Sequence, residues 1–276
     1  MGYDPLQPAG VEDYPVKVGS MLLTMVDPHK GFEKAYNRWY ERDHYYSGCL
    51  VGPHLFAGSR WVAPRPLKDL RWPRGETVAK PWDAGSYVAI YWVEAGHHDD
   101  HFAGWARPQV FHLYSNGRGF GERRHIHTVL FDHIGAVYRD DDPVPIELAL
   151  DHGYDGIVAL WLDGKEGTTA AALHQRLGQD LVPKALAGSP IEIASSWTPS
   201  AGENEPRNSP MDLGSAAGGP ERLCQLFFVG GDVRDALAPL RAYTEAIEAD
   251  ALADVRLAAP FFRTVVGTDQ HVDQLW

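Results

Sequence analysis

The chain has 276 residues, of which 44% are hydrophobic and 22% are charged, and this balance excludes a protein that is disordered throughout. Its formal net charge of -12 at pH 7 argues against a broad basic surface, so we expect neither nucleic acid nor an anionic membrane as a partner. The two cysteines, Cys49 and Cys224, are far apart and form no CxxC motif, which indicates neither a disulfide framework nor a thiolate zinc site and is typical of a reducing cytoplasm.

The start of the chain shows no targeting signal. Residues 1–15 lack a basic region followed by an apolar run, and we interpret them as an N-terminal tail. No stretch approaches the roughly 20 apolar residues that span a membrane. The sequence therefore predicts a soluble, cytoplasmic protein.

The first half, residues 16–145, predicts the element order βαββαβ. An apolar strand at about 20–26 precedes a helical stretch at about 31–46, and a second strand at about 56–63 ends in a Ser-x-Trp element. After a loop rich in Pro and Gly, "SYVAIYWVEA" has the β-branched and aromatic content of a strand. A second helix follows "AGHHDDHF", and "HIHTVLFDHIGAVY" is the last strand.

The second half, residues 152–270, repeats this order at a constant offset of 136 residues. "LLTMVDPHKG" lies over "VALWLDGKEG", and the Ser-x-Trp element ending at Trp61 lies over the one ending at Trp197. The helix "DVRDALAPLRAYTEAIEADAL" has Asp232 as its N-cap, and "FFRTVVGT" is the final strand. Residues 199–220 are low in complexity and predicted to be flexible, and 271–276 form a C-terminal tail.

A βαββαβ unit of this length is the ferredoxin-like arrangement, an antiparallel sheet with both helices on one face. The other face of one such sheet would expose a large apolar area, which a second unit can cover. We therefore predict an α+β fold in which two tandem ferredoxin-like repeats pack sheet to sheet as an intramolecular α+β barrel. A homodimer of the whole chain is left open.

The helix of the first half carries a motif. "FEKAYNRWYERDH" has the aromatic pair Trp39 and Tyr40, with His44 four residues further on, and it resembles the first helix of the dimeric α+β barrel superfamily, in particular its EthD-like branch. The resemblance implies a superfamily that includes polyketide cyclases, quinone-forming monooxygenases, muconolactone-type isomerases and haem enzymes such as chlorite dismutases. The fold therefore leaves the reaction open.

One face of this helix is aromatic, because Phe32, Tyr36, Tyr40 and His44 follow one another in steps of four. The face could be core, with a cationic His44 favoured at the helix C-terminus, or it could line a ligand cleft. The second half favours a cleft because it builds the same helix without these side chains, having at the corresponding positions Ala172, Gln175, Arg176, Gln179 and Asp180.

Histidines recur in the last strand of the first half. Alternation predicts that His125, His127, Phe131 and His133 share one face of "RRHIHTVLFDHIG". We expect one of His125 and His127 to be catalytic or to bind substrate. A His-x-His pair could instead bind a metal if the fold supplied a third ligand, or could lie at the surface.

Two further segments have alternative interpretations. In "AGHHDDHF", His97 and His101 have the i,i+4 spacing of two ligands on a helix, whereas a polar run rich in Asp before a helix is more typical of a solvated N-cap. We predict no metal, although a role for His97, His98 or His101 is left open. The stretch 108–124, with "NGRGFGER", is either a mobile loop over the cleft with an arginine near the substrate, or an ordinary solvated loop.

These patterns predict a cofactor-independent lyase or isomerase of cyclase or dehydratase type. An imidazole can move protons at neutral pH and a tyrosine hydroxyl can stabilise an enolate, so His44 is the first choice of general base or acid, one of His125 and His127 the second, and Tyr40 the hydrogen-bond donor. The expected partner is a hydrophobic aromatic or polyketide-like oxygenated small molecule. The residues expected to bind it are Tyr36, Trp39, Trp61, Tyr91 and Phe131.

Three alternatives remain. A cofactor-free monooxygenase would use the same cleft and consume dioxygen, and a non-catalytic binding protein would hold a ligand there without a reaction. A haem enzyme is disfavoured, because only His174 among the histidines of the second half falls on a predicted helix.

Overall fold

The computed structural model describes residues 15–165, 167–201 and 212–276. The strands are β1 (Val18–Pro28), β2 (Leu55–Val62), β3 (Tyr87–Glu94), β4 (Arg123–Tyr138), β5 (Gly156–Gly164), β6 (Ile191–Pro199), β7 (Arg222–Val229) and β8 (Ala253–Arg263). The α-helices are α1 (Glu33–Trp39), α2 (Arg65–Lys68), α3 (His98–His101), α4 (Arg107–Ser115), α5 (Ala170–Gln179), α6 (Leu181–Leu186) and α7 (Leu237–Ala249). Nearly all of the predicted N-terminal tail, and residues 202–211 of the predicted flexible stretch, lie outside the described residues.

Several helices are extended by other helical turns. After α1 the chain continues as π-helical turns at Tyr40–His44 and Tyr46–Leu50, and a third π-helical segment, Phe102–Ala106, joins α3 to α4. Before α7, the 3-10 turn Val233–Ala236 begins at Asp232, whose side chain accepts a hydrogen bond from the Arg234 N–H at 2.9 Å. The predicted N-cap at Asp232 is therefore confirmed.

The eight strands form a closed antiparallel barrel in the order β1-β3-β2-β8-β5-β7-β6-β4. β2 meets β8 through the pairs Trp61↔Arg263 and Val62↔Phe262, and β4 meets β6 along a longer register from Phe131↔Pro199 to Tyr138↔Ile193. The predicted α+β fold with antiparallel, ferredoxin-like strand pairing is confirmed. Closure gives each strand of the barrel a neighbour on both sides, with β2 and β8 joined at only two residue pairs.

Aromatic side chains fill the interior of the barrel. Trp61, Trp92, Trp161 and Trp197 are all completely buried there, and the rings of Trp92 and Trp197 stack with centroids 5.9 Å apart. Small barrels are filled by their inward-facing side chains in this way. The barrel interior is therefore a packed core.

The last strand differs from its prediction. β8 is Ala253–Arg263, whereas "FFRTVVGT" overlaps it only at its first three residues. In the first half Thr24 pairs with Thr128. A constant offset of 136 would therefore pair Leu160 with Thr264 in the second half. Leu160 pairs with Ala258 instead. The offset changes here because the connection 116–122 before β4 is longer than the connection 250–252 before β8.

The end of the chain packs against the fold. Leu275 is completely buried, and the Lys68 ammonium lies 4.8 Å from the centre of the Trp276 ring. The segment predicted as a C-terminal tail is thus in contact with α2. None of the helices in the described part of the chain has the length and apolar character needed to cross a membrane.

Candidate active site

The helical segment from Glu33 to Leu50 covers the outer face of β1, β2 and β3, and its tyrosines fill the space beneath it. Tyr36 and Tyr40 are buried, which agrees with the alternative in which the aromatic helix face is core, whereas Phe32 precedes the helix and is 42% exposed. The Tyr40 hydroxyl shares a hydrogen bond with the Tyr91 hydroxyl, 2.7 Å away. Burial raises the pKa of Tyr40 well above its ordinary value, so this hydroxyl stays protonated.

His44 ends the first π-helical turn and lies against Trp39. Their rings are stacked with centroids 4.6 Å apart and planes inclined by 15°. A Cβ atom at Gly48 would lie 2.6 Å from His44 Nδ1, so a larger residue at that position would displace the imidazole. Burial, and after it the positive charge of Arg123, lowers the pKa of His44 to about 3. The ring is therefore neutral at pH 7 and has a lone pair that can accept a proton.

Arg123, the first residue of β4, reaches the same place from the sheet. Its guanidinium carbon lies 4.8 Å from the centre of the Trp39 ring, a cation–π contact. Its Nε–H donates to His125 Nε2 at 3.3 Å, and its terminal nitrogens donate to the Phe120 carbonyl and the Tyr114 hydroxyl. Together these contacts hold the positively charged guanidinium of Arg123 against the Trp39 ring.

His125 is held in one orientation by partners on both nitrogens. Nδ1 lies 2.7 Å from Thr128 Oγ1, which in turn lies 2.8 Å from Thr24 Oγ1. Because Arg123 donates to Nε2, these partners assign the proton of the neutral ring to Nδ1. Burial, followed by the charge of Arg123, lowers the pKa of His125 to about 4. We call Trp39, His44, Arg123 and His125 the imidazole cluster, because it places two neutral imidazoles beside one cation.

The connection 116–122 lies over this cluster. Phe120 stacks on Trp39 with centroids 5.3 Å apart, and the Trp39 indole N–H donates to the Arg118 carbonyl at 2.9 Å. Arg118 also pairs with Asp43, its Nε–H donating to Oδ2 at 3.0 Å. Of the stretch 108–124 interpreted from the sequence as a loop, the residues up to Ser115 belong to α4, and only 116–122 form a connection over the cluster. Within the stretch it is Arg123 that contacts His125. Mobility of the connection stays a prediction.

The predicted shared face of β4 holds for His127 and Phe131 and is wrong for His125, because a bulge at Ile126 turns His125 to the other side. Val26 pairs with His125 while the preceding residue, Met25, pairs with His127, so the two imidazoles point to opposite sides of the sheet. His127 is completely buried inside the barrel, 5.6 Å from Trp161 between ring centroids. Its Nδ1 lies 2.8 Å from Ser215 Oγ.

The predicted substrate-binding residues are divided in the same way. Tyr36, Trp39 and Tyr91 lie on the helix side with the imidazole cluster, whereas Trp61 and Phe131 are completely buried in the barrel interior. Alternation along a strand places neighbouring residues on opposite faces, so a helix-side site cannot include the inward-facing ones. The structure therefore does not bring His127, Trp61 or Phe131 to the site.

The i,i+4 histidine pair does not converge either. His97 is the N-cap of α3, whereas His101 is buried with Nδ1 2.8 Å from the Pro53 carbonyl oxygen. His98 lies beside Phe102, with ring centroids 4.8 Å apart. The helical spacing alone did not indicate that His101 points inward.

Sequence reasoning missed three residues around the site. Thr24 and Thr128 orient His125, and Arg60 lies buried with its guanidinium carbon 4.3 Å from the centre of the Tyr40 ring. The signal for Arg60 was a single cation inside the otherwise apolar strand "LFAGSRWV". The threonine pair is visible only once the register between β1 and β4 is known.

A separate groove of about 570 Å³ lies at another side of the barrel, with Tyr154, Asp232, Phe262, Arg263 and His271 among its lining residues. Arg263 is tied to the chain there, since it donates to the Leu150 carbonyl at 3.2 Å. His271 is the one imidazole among the residues that line the groove. The groove therefore lacks the pair of imidazoles beside a cation that the imidazole cluster provides.

The surroundings of His174 do not fit a haem. His174, on α5, packs directly on β4, since a Cβ atom at Gly135 would lie 2.8 Å from its Nε2. Between the helices and the sheet the space is filled by buried side chains, among them Leu173, Leu177, Phe227 and Tyr243. A macrocycle could not enter beside His174 without displacing this packing.

Comparisons with known proteins support the fold at low identity. No protein-family model matches the sequence, and no curated protein matches it. Among solved structures, an anthrone oxidase-like protein is similar with a TM-score of 0.54 and 8% identity, covering 92% of this chain and 98% of its own. A dye-decolorizing peroxidase from Bacteroides thetaiotaomicron VPI-5482 has a TM-score of 0.52 and 9% identity, covering 96% and 98%. A DypB variant from Rhodococcus jostii RHA1 in complex with heme has a TM-score of 0.50 and 9% identity, covering 100% and 99%.

These likenesses are likenesses of fold, and they do not support the EthD-like branch. They also correct the predicted reaction. The similar structures are an anthrone oxidase-like protein and peroxidases, none of which is a lyase or an isomerase, so the prediction of a cofactor-independent lyase or isomerase is wrong. At such identity the likeness establishes the fold, and the reaction has to be argued from the site.

Proposed function

We propose that this protein is an enzyme that oxidises an aromatic small molecule bearing an acidic C–H group conjugated with a carbonyl, with dioxygen as the oxidant, at the imidazole cluster. The observation that carries the proposal is His44, a neutral imidazole stacked on Trp39 and close enough to Arg123 for its pKa to be lowered by that charge. The site thus combines a proton acceptor, a flat aromatic wall and a fixed cation. An enzyme that makes and oxidises an enolate needs all three.

The substrate ring would lie on Trp39. In the structure Phe120 stacks there, so we propose that the connection 116–122 lifts and a planar aromatic substrate takes the place of Phe120. Gly117 has a φ of 72° and, like Gly121, has no atom within 4 Å of where a Cβ would stand, which leaves both positions free to turn. Aromatic stacking and an apolar surround favour a flat, weakly polar ligand.

Different residues bind the proton that the substrate loses and the negative charge of the enolate. His44 takes the proton from the acidic carbon, and Arg123 pairs with the enolate oxygen that forms. Burial and the charge of Arg123 lower the pKa of His44 in the structure, and an enolate within about 4–6 Å would raise the pKa of an imidazole by favouring its charged form. The base therefore becomes stronger as the transition state develops.

The oxidation balances with one dioxygen for each substrate. Loss of the first proton leaves an electron pair on carbon, which passes to dioxygen and forms a C–O bond to give a peroxide. Loss of the second hydrogen from the same carbon breaks the O–O bond and releases water. The CH₂ group becomes a carbonyl, one oxygen atom is retained in the product, and the other leaves as water.

An oxygen electrode tests this proposal with anthrone and dithranol as probe substrates. We expect protein-dependent dioxygen uptake, one equivalent per quinone formed, that is lost in His44→Gln and absent with heat-denatured protein. Uptake that is the same in His44→Gln as in the unsubstituted protein would reject the site. Tight binding of the probes without uptake would reject the oxidation and support a non-catalytic binding protein.

Further features of the chain belong to the same proposal. We infer that residues 16–145 and 152–270 are tandem ferredoxin-like repeats, of which the first holds the site. The strand registers support this. In the first half Trp61 pairs with Val88, and in the second half Trp197, 136 positions after Trp61, pairs with Cys224, 136 positions after Val88. Assignment to the EthD-like branch rests only on the residues around α1, and a homodimer stays open.

A further inference from the structure

Three potential metal ligands meet at one end of β3, away from the imidazole cluster. His54 lies just before β2, Glu94 is the last residue of β3, and His97 is the N-cap of α3. One ligand atom from each side chain lies within 4.8 Å of the others, and His54 Nδ1 is 3.6 Å from Glu94 Oε2. Two imidazoles and one carboxylate therefore lie close enough together for one ion to contact all three.

The two imidazoles are held face to face. The rings of His54 and His97 are parallel within 2°, with centroids 3.6 Å apart. An imidazole nitrogen binds a metal in the plane of its ring, so binding of one ion by both residues requires one ring to turn out of this stack.

The backbone is shaped to bring these groups together. His54 has a φ of 62°, in the left-handed region that a residue other than glycine rarely adopts, and the Glu94 N–H donates to the His54 carbonyl at 2.9 Å. Gly96, with a φ of 85°, makes the turn after β3, and the His97 N–H donates to the Glu94 carbonyl at 3.2 Å. Such backbone strain is concentrated at functional sites.

A second carboxylate orients one of the rings. His97 Nδ1 lies 2.9 Å from Asp100 Oδ2, which fixes a proton on Nδ1 and leaves Nε2 as the acceptor. The same relay of carboxylate, imidazole and ion is common around bound metals. About a third of the side chain of His54, of Glu94 and of His97 is exposed, so an ion could reach all three from solvent.

We propose that His54, Glu94 and His97 form a site for one divalent transition-metal ion of the zinc class, with Asp100 as a positioning residue. Two imidazole nitrogens and a carboxylate oxygen are the donors that such an ion prefers, and water completes a tetrahedral shell. The bound ion ties the start of β2 to the turn between β3 and α3. His101 is not a ligand, because its Nδ1 is directed at the Pro53 carbonyl. The site is independent of the proposed oxidation.

Calorimetric titration of tag-free, EDTA-treated and dialysed protein with ZnCl₂ tests the site. We expect one equivalent of Zn²⁺ per chain, and at least a tenfold weaker affinity in His54→Ala, Glu94→Gln and His97→Ala. Asp100→Asn should weaken binding about 10–100-fold, as is usual for residues behind a ligand. His29→Ala is the matched control, because His29 also pairs with a carboxylate, Glu122 at 3.0 Å, but has no second imidazole beside it.

Thermal unfolding separates a lost ligand from a damaged fold. Each variant is compared by circular dichroism without metal, and Zn²⁺ should raise the melting temperature of the unsubstituted protein and of His29→Ala but not of His54→Ala or His97→Ala. Co²⁺ binding should give visible absorption bands with the same pattern among the variants. Absence of binding at micromolar Zn²⁺, or equal affinity in His54→Ala, His97→Ala and the unsubstituted protein, would overturn the proposal.

Discussion

The imidazole of His44 lies nearly parallel to the indole of Trp39, with ring centroids 4.6 Å apart and planes inclined by 15°. Trp39 is the last residue of α1, and His44, five positions later, is the last residue of the π-helical turn that follows α1. π-Helical turns are frequent at functional sites. In this protein the π-helical turn places the imidazole of His44 against the indole of Trp39.

Replacing His44 by Gln should reduce dioxygen uptake by about 10²–10⁴-fold, the usual contribution of a general base. Gln keeps a polar side chain of similar length, so we expect a melting temperature within a few degrees of the unsubstituted protein. Oxygen-electrode rates and thermal unfolding measure the two effects. His112→Ala, at an exposed position on α4, is the control and should leave both unchanged.

Arg123→Lys should reduce turnover at least tenfold although the charge is kept. Lysine has no planar fork, and it cannot reach His125, Phe120 and Tyr114 at once. Steady-state kinetics of Arg123→Lys are best compared with those of Arg124→Lys, because Arg124 is the adjacent, exposed arginine and extends towards Asp27 instead. Equal losses in the two variants would contradict a specific role for Arg123.

Tyr40→Phe distinguishes a structural from a catalytic hydroxyl. The hydroxyl is buried and bonded to that of Tyr91, so its removal should destabilise the fold by about 1 kcal/mol, the usual worth of such a bond. Turnover should change less than threefold, because this hydroxyl is already hydrogen-bonded to the Tyr91 hydroxyl. Urea unfolding and oxygen uptake on the same sample check this, and a collapse of turnover with stability retained would restore Tyr40 as a catalytic donor.

His127→Leu should keep full activity and equal or greater stability. His127 lies inside the barrel with a buried Nε2 that has no partner among the described residues, and the corresponding position in the register of the second half is Leu257. Leucine removes the unsatisfied nitrogen while filling similar space. The melting temperature and the oxygen-uptake rate are the readouts. A large loss of activity would show that the barrel interior takes part in function.

Stability should fall as the pH drops from 6.5 towards 4. Burial lowers the pKa of His44 and His127 to about 3 and that of His125 and His133 to about 4, while the unfolded chain titrates near 6.5. In this window the unfolded chain binds protons that the folded protein excludes, so stability rises with pH, by up to about 1.4 kcal/mol per pH unit for each histidine. Melting temperatures across the window measure the slope, and His127→Leu should make it shallower. A flat profile would contradict the burial of these imidazoles.

Local sequence patterns predicted much of the fold. Alternating and continuous apolar runs predicted the strands, and Asp232 predicted a helix start, because both signals depend on residues within one or two turns of each other. The last strand was placed wrongly since a constant offset assumes equal connections. The connection before β8 is shorter than the one before β4, and only the pairing of Leu160 with Ala258 reveals it.

By itself, the sequence determined which residues had chemistry to offer: the aromatic helix with Trp39 and His44, and a strand dense in histidine. Only the tertiary structure decided which of them meet. A single bulged residue, Ile126, sends His125 to the helix side and His127 into the barrel, and a bulge depends on how β1 and β4 pair across about a hundred residues of chain. The meeting of His54 with His97 depends in the same way on the end of β3 folding back beside the start of β2. Local periodicity specifies faces, whereas proximity between distant faces is set by register and closure of the sheet.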